Sequence, residues 1–485
     1  MLRGHIDAGR FEQSEALLHS YLRANRRDPE AHRELAGIQF KSGKLAAGVQ
    51  SAKKSVRLDP TNKYGQELLA TLLYLTGDKI HALYHWNQVS EPKIKRVIFR
   101  KGDFGAEVLW DLFRFNEGEI LTRDDWRESS FVAERLRPGA MTRWWLEPAA
   151  GNDGWDLNIE ARQGNPNSLR LWLVTNILSA ALNRELSYHL RNATQRGLSA
   201  DIGARAASDE RSFKFRLSWP ELLAKRSVSQ VAVMGRAEEW KIGSASFDIE
   251  TFDVRLEQWS LFRNRQMTIL RTSFRNQMVR GQPPRGWAGG SGAIVLGAEW
   301  QRWLAGDGCS DSEGAVSISI DQIIRRNGKS AASVRGAGSW ERRVDSKRKI
   351  DMNLSFQAGT SGGAPVFDSY YRFGVGRDAL IPLRAHPERI DGKKGFGPMA
   401  RGFLAYSADI SKRVMGGERT NISAFAFSDG AYLTTELTNS RRGWIRDIGL
   451  GISALLYGEV KISVICGYNI EANRWNVWVG MPNRD

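Results

Sequence analysis

The sequence has little cysteine, little histidine and no long apolar run. Its two cysteines, Cys309 and Cys466, exclude a disulfide scaffold and a zinc site built from cysteines. The seven histidines are scattered along 485 residues, so neither a metal cluster nor a cofactor is expected. Without about 18 consecutive apolar residues, no helix can span a membrane. A transmembrane β-barrel is compatible with the composition, because its strands alternate apolar with polar residues and leave the mean hydropathy low, here −0.42.

The amino terminus also lacks a visible export signal. The first seven residues, Met-Leu-Arg-Gly-His-Ile-Asp, are polar, and the apolar core of roughly 7–15 residues that marks a secretory signal is missing. We therefore expect either a cytosolic protein or a sequence that begins downstream of its true start.

The chain is basic, and its aromatic content is that of a folded protein. Lys and Arg number 70 against 54 Asp and Glu, which gives a net charge of +16. These basic residues are interspersed with acids, and the pairs Arg26-Arg27 and Arg441-Arg442 are not extended into longer runs. We therefore expect no nucleic-acid partner. The 17 Trp, 20 Phe and 11 Tyr argue against disorder.

Residues 1–90 show a helical pattern with a repeat of 34 residues. Gly9, Gly43 and Gly77 recur at this interval, and Leu35-Ala36 recurs as Leu69-Ala70. This period, with glycine in the turn between helices, is typical of tetratricopeptide (TPR) repeats, whose helix pairs bury their apolar faces by stacking on each other. The sequence predicts TPR-like helices here, with an ordinary helical bundle as the alternative.

Residues 91–163 mix strands and helices. A strand is predicted at residues 93–99, helices at residues 106–113 and 126–136, and two strands at residues 141–147 and 155–161. Thr122, three residues before Asp125, is a predicted helix cap. The expected order is therefore β-α-α-β-β.

Residues 164–485 are dominated by short alternating runs. Phe213, Phe215 and Leu217 alternate with Lys214 and Arg216, and similar runs recur along the segment. A single open sheet of so many strands would leave free edges, whereas a barrel would not. At about 20 residues per strand and connection, the segment predicts a transmembrane antiparallel barrel of about sixteen strands. Two soluble β-sandwich domains are the alternative.

Two stretches resemble known families. The segment Phe115-Asn-Glu-Gly-Glu-Ile-Leu-Thr122, followed by residues 135–136 and 153–160, resembles a POTRA module, the polypeptide-transport-associated domain. The stretch of residues 367–386 is similar to the barrel of the outer-membrane assembly-factor superfamily (BamA and TamA type, or bacterial surface antigens). The resemblance implies three parts: TPR-like repeats at residues 1–90, a POTRA-like domain at 91–163 and an outer-membrane barrel at 164–485.

The resemblance also implies a contact inside the barrel. In the superfamily an in-folded loop carries a V/L-R-G-F/Y motif, and here the corresponding residues are Leu383, Arg384, Ala385 and His386. The partner motif on the barrel wall, F-x-D-x-G, corresponds to Phe427, Asp429 and Gly430, with the glycine moved by one position. The implied contact is a bidentate Arg384–Asp429 ion pair in the lumen, and the alternative is that both are exposed loop charges. Ala385 and His386 depart from the motif, which bears on insertase activity more than on fold.

No catalytic constellation stands out, and we expect no enzyme. Ser361 lies in a formal G-x-S-x-G pattern, but β-like segments flank it on both sides, and the motif needs a strand-to-helix turn. We interpret this stretch as a loop between strands.

The expected function is non-enzymatic work at the bacterial outer membrane. TPR-like and POTRA-like modules in the periplasm would capture an unfolded or extended client polypeptide, POTRA sheets by pairing it at an edge, and the lipid-embedded barrel would insert or secrete it. The alternatives are a passive pore for polysaccharide export with a TPR scaffold, and a soluble TPR interaction scaffold.

Overall fold

The computed structural model describes most of the chain, with gaps at the termini and in several connections. The described residues are 10–100, 115–136, 140–151, 154–163, 173, 176–181, 184–190, 197–208, 210–263, 265–284, 287, 292–305, 312–326, 330–345, 349–364, 367–375, 379, 381–387, 389–390, 393–416, 420–434, 443–456 and 460–480. Gly9 and the predicted helix at residues 106–113 therefore lie outside the described residues. The chain divides into two compact units. The first comprises residues 1–133 and 140–162, and the second comprises residues 134–139 and 163–485.

The first unit begins with five consecutive helices. They are α1 (Phe11–Ala24), α2 (Pro29–Lys41), α3 (Leu45–Leu58), α4 (Lys63–Leu75) and α5 (Lys79–Asn87). The starts of α1, α3 and α5 are spaced by 34 residues, as are those of α2 and α4. Asp28 caps α2 by accepting hydrogen bonds from two backbone N–H groups, and Asn62 caps α4 in the same way with one.

Turns at glycine separate the helix pairs. Gly43 and Gly77 have φ angles of +75° and +90°, in the left-handed region where a side chain would be strained. The helices pack through small and branched apolar residues, of which Ala36, Ala70 and Leu72 are fully buried. In the described part of the chain, no helix is long and apolar enough to cross a membrane.

A small sheet and a helix complete the first unit. They are β1 (Ile94–Phe99), α6 (Arg123–Leu136), β2 (Ala140–Pro148) and β3 (Trp155–Gln163), and the sheet order is β1-β3-β2, with β1 parallel to β3. The three strands and α6 lie where the sequence predicts them. The backbone N–H of Asp125 donates to the Thr122 hydroxyl at 3.1 Å, which confirms the predicted cap.

The second unit is one large antiparallel sheet with an insertion. Its wall strands are β4 (Glu185–Leu190), β5 (Ser199–Ala206), β6 (Glu210–Pro220), β7 (Ser227–Ile242), β8 (Ala245–Phe262), β9 (Gln266–Gly281), β10 (Gly292–Ala305), β11 (Ser312–Arg325), β12 (Ala331–Asp345), β13 (Ile350–Gly363), β19 (Gly402–Gly416), β20 (Thr420–Leu433), β21 (Gly443–Leu456), β22 (Val460–Asn469) and β23 (Arg474–Gly480). The insertion between β13 and β19 contains β14 (Tyr371–Val375), β15 (Ile381–Pro387), β16 (Arg389–Ile390), β17 (Lys393–Lys394) and β18 (Met399–Ala400).

The wall strands follow one another in the order of a barrel. Neighbours pair antiparallel along the chain from β4 to β23, and β13 pairs with β19 across the insertion, so that Ile350 lies opposite Lys412 and Thr360 opposite Gly402. Fifteen wall strands lie among the described residues, compared with the expected sixteen. The two-sandwich alternative is wrong, because one continuous sheet runs through the whole unit.

The two faces of the wall differ in polarity. Large apolar side chains point outward on strand after strand: Phe213, Phe252, Ile318, Phe356 and Leu450 are each roughly half exposed or more. The opposite face carries charged residues and the buried clusters described below. A soluble protein would bury such a belt, whereas lipid would cover it.

Candidate functional site

The insertion at residues 364–401, which we call the lumenal segment, crosses the inside of the barrel. Its strand β15 contacts the inward faces of β20 to β23, and β17 pairs with β7. These wall strands lie on different sides of the barrel, so a segment that touches both groups passes through the lumen. The segment has its own apolar contacts with the wall: Phe373, Ile381 and Leu383 pack against Phe403 and Leu433.

Arg384 on β15 is bound by a buried carboxylate of the wall. Its Nε and Nη2 donate to Oδ2 and Oδ1 of Asp429 at 2.8 and 2.7 Å, and its backbone N–H donates to Oδ2 at 3.0 Å. Nη2 also donates to the Ser407 hydroxyl at 3.0 Å. The guanidinium carbon lies 4.1 Å from the ring centre of Phe427, a cation–π distance. Asp429 is fully buried, so this bidentate pair is shielded from water.

Asp429 belongs to a row of polar residues that crosses four neighbouring strands. Ser407 on β19 lies opposite Asp429 on β20, Asp429 lies opposite Asp447 on β21, and Asp447 lies opposite Asn469 on β22. Residues paired in this way point to the same face of a sheet. We call these four residues the polar row. It presents two buried carboxylates side by side, and each is met by a basic side chain or an N–H group of β15.

His386 occupies the second half of the polar row. Its Nδ1 lies 3.0 Å from Oδ2 of Asp447, and its Nε2 lies within hydrogen-bond distance of the Asn469 side-chain amide. The backbone N–H of Ala385 donates to the same Oδ2 at 2.7 Å. Nδ1–H as donor to Asp447, and Nε2 as acceptor from the Asn469 amide, satisfies both ring nitrogens in the neutral form. Histidine thus replaces the aromatic residue of the motif with a polar contact.

Gly467 allows the close approach that these contacts need, whereas Gly430 lies on the other face of the wall. Gly430 follows the inward-facing Asp429 and therefore points away from β15, and a Cβ there would lie 2.3 Å from the ring of Tyr406, directly opposite on β19. A Cβ at Gly467 would lie 2.9 Å from the carbonyl oxygen of Arg384 and 3.0 Å from Ala385. Leu383 and Ala385 are fully buried on the two sides of Arg384. The strand β15 therefore lies directly on the wall.

A second contact holds the other end of the lumenal segment. Nζ of Lys394 on β17 donates to Glu210 at 2.7 Å and to Glu238 at 2.6 Å. The two glutamates lie opposite each other on β6 and β7, and all three side chains are at most 4% exposed. Arg205 contacts Glu210 at 3.1 Å, and Arg236 contacts Glu238 at 3.4 Å. We call these five residues the Lys394 cluster.

A third contact lies at the start of the segment. Asp368 meets Arg275 at 3.2 Å and Arg325 at 3.5 Å, on β9 and β11. Phe367 beside it packs edge-to-face on Trp240 with a centroid distance of 4.8 Å. The lumenal segment is therefore fixed to the wall at three places around the barrel.

The structure places the predicted site residues as follows. Arg384 and Asp429 lie in contact, and Phe427 lies under the guanidinium. Leu383, Ala385 and His386 lie on β15 together with Arg384. The alternative in which Arg384 and Asp429 are exposed charges is wrong, since Asp429 has no exposed surface. Sequence reasoning missed the rest of the polar row: Ser407, Asp447 and Asn469. An inward-facing Asp447 in the apolar run Trp444–Leu456 was the available signal.

Ser361 does not lie in a loop, contrary to the sequence interpretation. It is part of β13, and its hydroxyl donates to the backbone carbonyl oxygen of Ser369. The backbone N–H of Ser361 donates to the carbonyl oxygen of Arg401 at 2.7 Å, so this stretch is hydrogen-bonded as part of the wall. Both contacts are structural, and the strand continues on both sides of Ser361, so the strand-to-helix turn of a nucleophile elbow is absent from residues 350–363.

Solved structures similar to this chain include two CdiB proteins and one BamA protein. CdiB from Escherichia coli is 14% identical, with 85% of this chain and 82% of CdiB covered and a TM-score of 0.52. BamA from Haemophilus ducreyi lacking POTRA domains 1-3 is 13% identical, with 80% and 82% covered and a TM-score of 0.46. CdiB from Acinetobacter baumannii is 9% identical, with 79% and 72% covered and a TM-score of 0.49. No protein-family model matches the chain, and no curated protein matches it.

The chain shares its fold with one of these solved structures. A large antiparallel barrel is the fold common to this chain and CdiB from Escherichia coli. The comparison with Escherichia coli CdiB carries this assignment, because its TM-score exceeds 0.5. At 14% identity the likeness concerns the fold.

Proposed function

We propose that this protein is a non-enzymatic outer-membrane barrel that takes part in the assembly, insertion or translocation of polypeptides. The observation that carries the proposal is the Arg384–Asp429 contact, which fixes an in-folded segment to the wall as the superfamily resemblance implies. The outward apolar belt fits outer-membrane lipid as the solvent of the barrel.

The first unit would supply the client-binding surfaces in the periplasm. The 34-residue spacing of its helices supports the TPR-like interpretation of residues 1–90, since stacked helix pairs form a concave surface for peptides. The β1-β3-β2 sheet supports the POTRA-like interpretation of residues 91–163, and its edge strands β1 and β2 would accept an extended client strand. In this arrangement the client would pass from the helices and the sheet to the barrel.

The contact between Arg384 and Asp429 allows a direct test. We expect Arg384→Ala to lower the levels of other outer-membrane proteins in a host strain that depends on this chain, while the variant itself remains in the membrane. Asp429→Asn should act in the same direction. The matched control is Arg280→Ala, which removes an exposed ion pair with Glu250 on the same barrel (Nη2 to Oε2, 3.3 Å). Unchanged protein levels with both lumenal variants would refute the role of the contact.

Deletion of residues 1–163 tests the role of the first unit. We expect the truncated barrel to reach the membrane and client proteins to be lost from it. If every outer-membrane protein stays at its normal level, an assembly role is wrong.

The passive polysaccharide pore predicts a different measurement. A passive pore needs a continuous open lumen, whereas Phe373, Ile381 and Leu383 of the lumenal segment pack against the wall inside this barrel. We therefore expect small single-channel conductance in planar bilayers and no block by added glycans. Large, glycan-blocked conductance would favour the pore.

A further inference from the structure

The first unit contains a pocket that the proposed function does not use. It is a cavity of about 530 Å³ lined by Lys79, Trp126, Ser130, Arg143, Trp144 and Trp145. Its residues come from three elements: the start of α5, the middle of α6 and the strand β2. Its volume falls within the range of roughly 300–1,000 Å³ that is typical of ligand sites.

The walls of the pocket are aromatic and rigid. Trp126 and Trp144 are buried, with ring centres 4.8 Å apart, and Trp144 lies 6.0 Å from Tyr74, which in turn lies 5.5 Å from Trp86. The Tyr74 hydroxyl also accepts a hydrogen bond from the backbone N–H of Leu146 at 2.8 Å. These contacts fix the indoles before any ligand arrives, which lowers the entropic cost of binding.

Two cations face the pocket without a carboxylate. Among the described residues, the Lys79 ammonium donates one hydrogen bond, to the carbonyl oxygen of Trp144. The other two N–H bonds of the ammonium are available to a ligand. Arg143 is exposed and makes neither an ion pair nor a hydrogen bond within the described part of the chain. Two effects lower the pKa of Lys79 below its usual range: burial is the larger, and repulsion from Arg143 is the smaller. An anion placed between the two cations would relieve this repulsion.

We propose that this pocket binds a carboxylate that adjoins an aromatic or large apolar side chain of a peptide. Lys79 and Arg143 hold the carboxylate, and Trp126, Trp144 and Trp145 enclose the apolar group. The choice of a peptide as ligand rests on the proposed function, since the pocket lies on the unit assigned to client capture. A terminal carboxylate and an Asp or Glu side chain offer the same chemistry, so the experiment must separate them.

The test measures the binding of short fluorescent peptides to the full-length protein in detergent by fluorescence anisotropy. One peptide ends in Phe with a free carboxylate, and its partner ends in Phe-amide. A second pair carries an internal Phe-Glu or Phe-Gln with both ends blocked. We expect one or both acidic peptides to bind, and the neutral partner of each to bind at least about tenfold more weakly. Which acidic peptide binds identifies the source of the carboxylate.

Variants connect the binding to the pocket. We expect the double variant Lys79→Gln with Arg143→Gln to bind the acidic peptide at least about tenfold more weakly. Lys79→Arg keeps a cation at the same place and should retain binding. Lys54→Gln on the exposed face of α3 is the control and should change nothing. Circular dichroism of each variant checks that the unit is folded.

Three results would overturn the proposal. They are no binding of any peptide up to about 1 mM, equal binding of acidic and neutral peptides, and unchanged binding by the folded double variant. If any of these occurs while Arg384→Ala still depletes outer-membrane proteins, the pocket assignment fails and the proposed function stands.

Discussion

The Lys394 cluster makes a quantitative prediction about how the lumenal segment is held. Lys394→Met keeps most of the side-chain volume and removes the ammonium that lies 2.6 and 2.7 Å from two buried glutamates. Removal of one partner from a buried ion pair generally costs about 3–5 kcal/mol, because the remaining charge has lost both water and its partner. Arg205 and Arg236 still contact the glutamates, so we expect the lower end of this range, about 3 kcal/mol.

Local opening of the segment is the appropriate quantity to measure. A cost of 3 kcal/mol raises the open population by about 100-fold. When opening and closing are fast, the rate of proteolysis follows this population. We therefore expect cleavage within residues 364–401 to accelerate by about two orders of magnitude in detergent-solubilised Lys394→Met. Lys393→Met is the matched control on the same strand and should leave the rate unchanged.

A fivefold variant separates lost charge from lost shape. Glu210→Gln, Glu238→Gln, Arg205→Gln and Arg236→Gln, added to Lys394→Met, remove every charge of the Lys394 cluster. We expect this variant to recover most of the protection, since uncharged replacements of whole buried ionic groups are often tolerated. If Lys394→Met is cleaved as slowly as the wild type, the segment is not held by this cluster. Failure of the fivefold variant to recover would show that the charge argument is wrong.

Three further predictions concern other contacts. Burial lowers the pKa of His85 from 6.5 to about 4, so between these pH values the unfolded chain binds a proton that the folded unit does not. The free energy of unfolding should therefore fall by about 3 kcal/mol as the pH drops from 6.5 to 4. Thermal melts of His85→Leu should lack this loss. Gly430→Ala should lower barrel stability by about 1–3 kcal/mol, because the new methyl group would meet the Tyr406 ring. Adding Tyr406→Ala to Gly430→Ala should restore the melting temperature, measured by gel migration of unheated samples. Asp447→Asn should cost less than about 1 kcal/mol, because Oδ2 accepts both hydrogen bonds and Oδ1 accepts none among the described residues. Asp447→Leu should cost more in the same assay, and equal effects would refute this account.

Two features of the architecture follow from periodicity in the sequence. The two-residue alternation of apolar side chains, as at Phe213 and Phe215, predicts a wall whose apolar face points outward, and the structure has this face. The 34-residue glycine spacing predicts turns at Gly43 and Gly77, which have the positive φ angles that such turns need. Both features are local, so a single sequence contains them. The number of strands is less well determined by sequence because it depends on where each turn falls.

The contacts inside the barrel were only partly predictable. The Arg384–Asp429 pair came from resemblance to a motif, and no spacing rule relates two residues that are 45 positions apart. The Lys394 cluster joins residues separated by 156 and 184 positions. Such pairs depend on strand register and on the path of the lumenal segment, which the sequence does not encode as a period. Asp447 shows the limit clearly, because its alternation marks it as inward-facing but does not identify His386 as its partner.

The distribution of the contacts implies an order in which the lumenal segment would detach. Release of β15 requires the loss of the bidentate Arg384–Asp429 pair, of the Asp447 contacts and of the apolar packing of Leu383 in the same event. Release of β17 requires mainly the loss of the Lys394 cluster, since a single residue of β17 pairs with the wall strand β7. The smaller set of contacts should break more often under native conditions. We therefore expect the first protease cut in the wild-type protein to fall near β17 rather than β15, and a first cut at β15 would contradict this order.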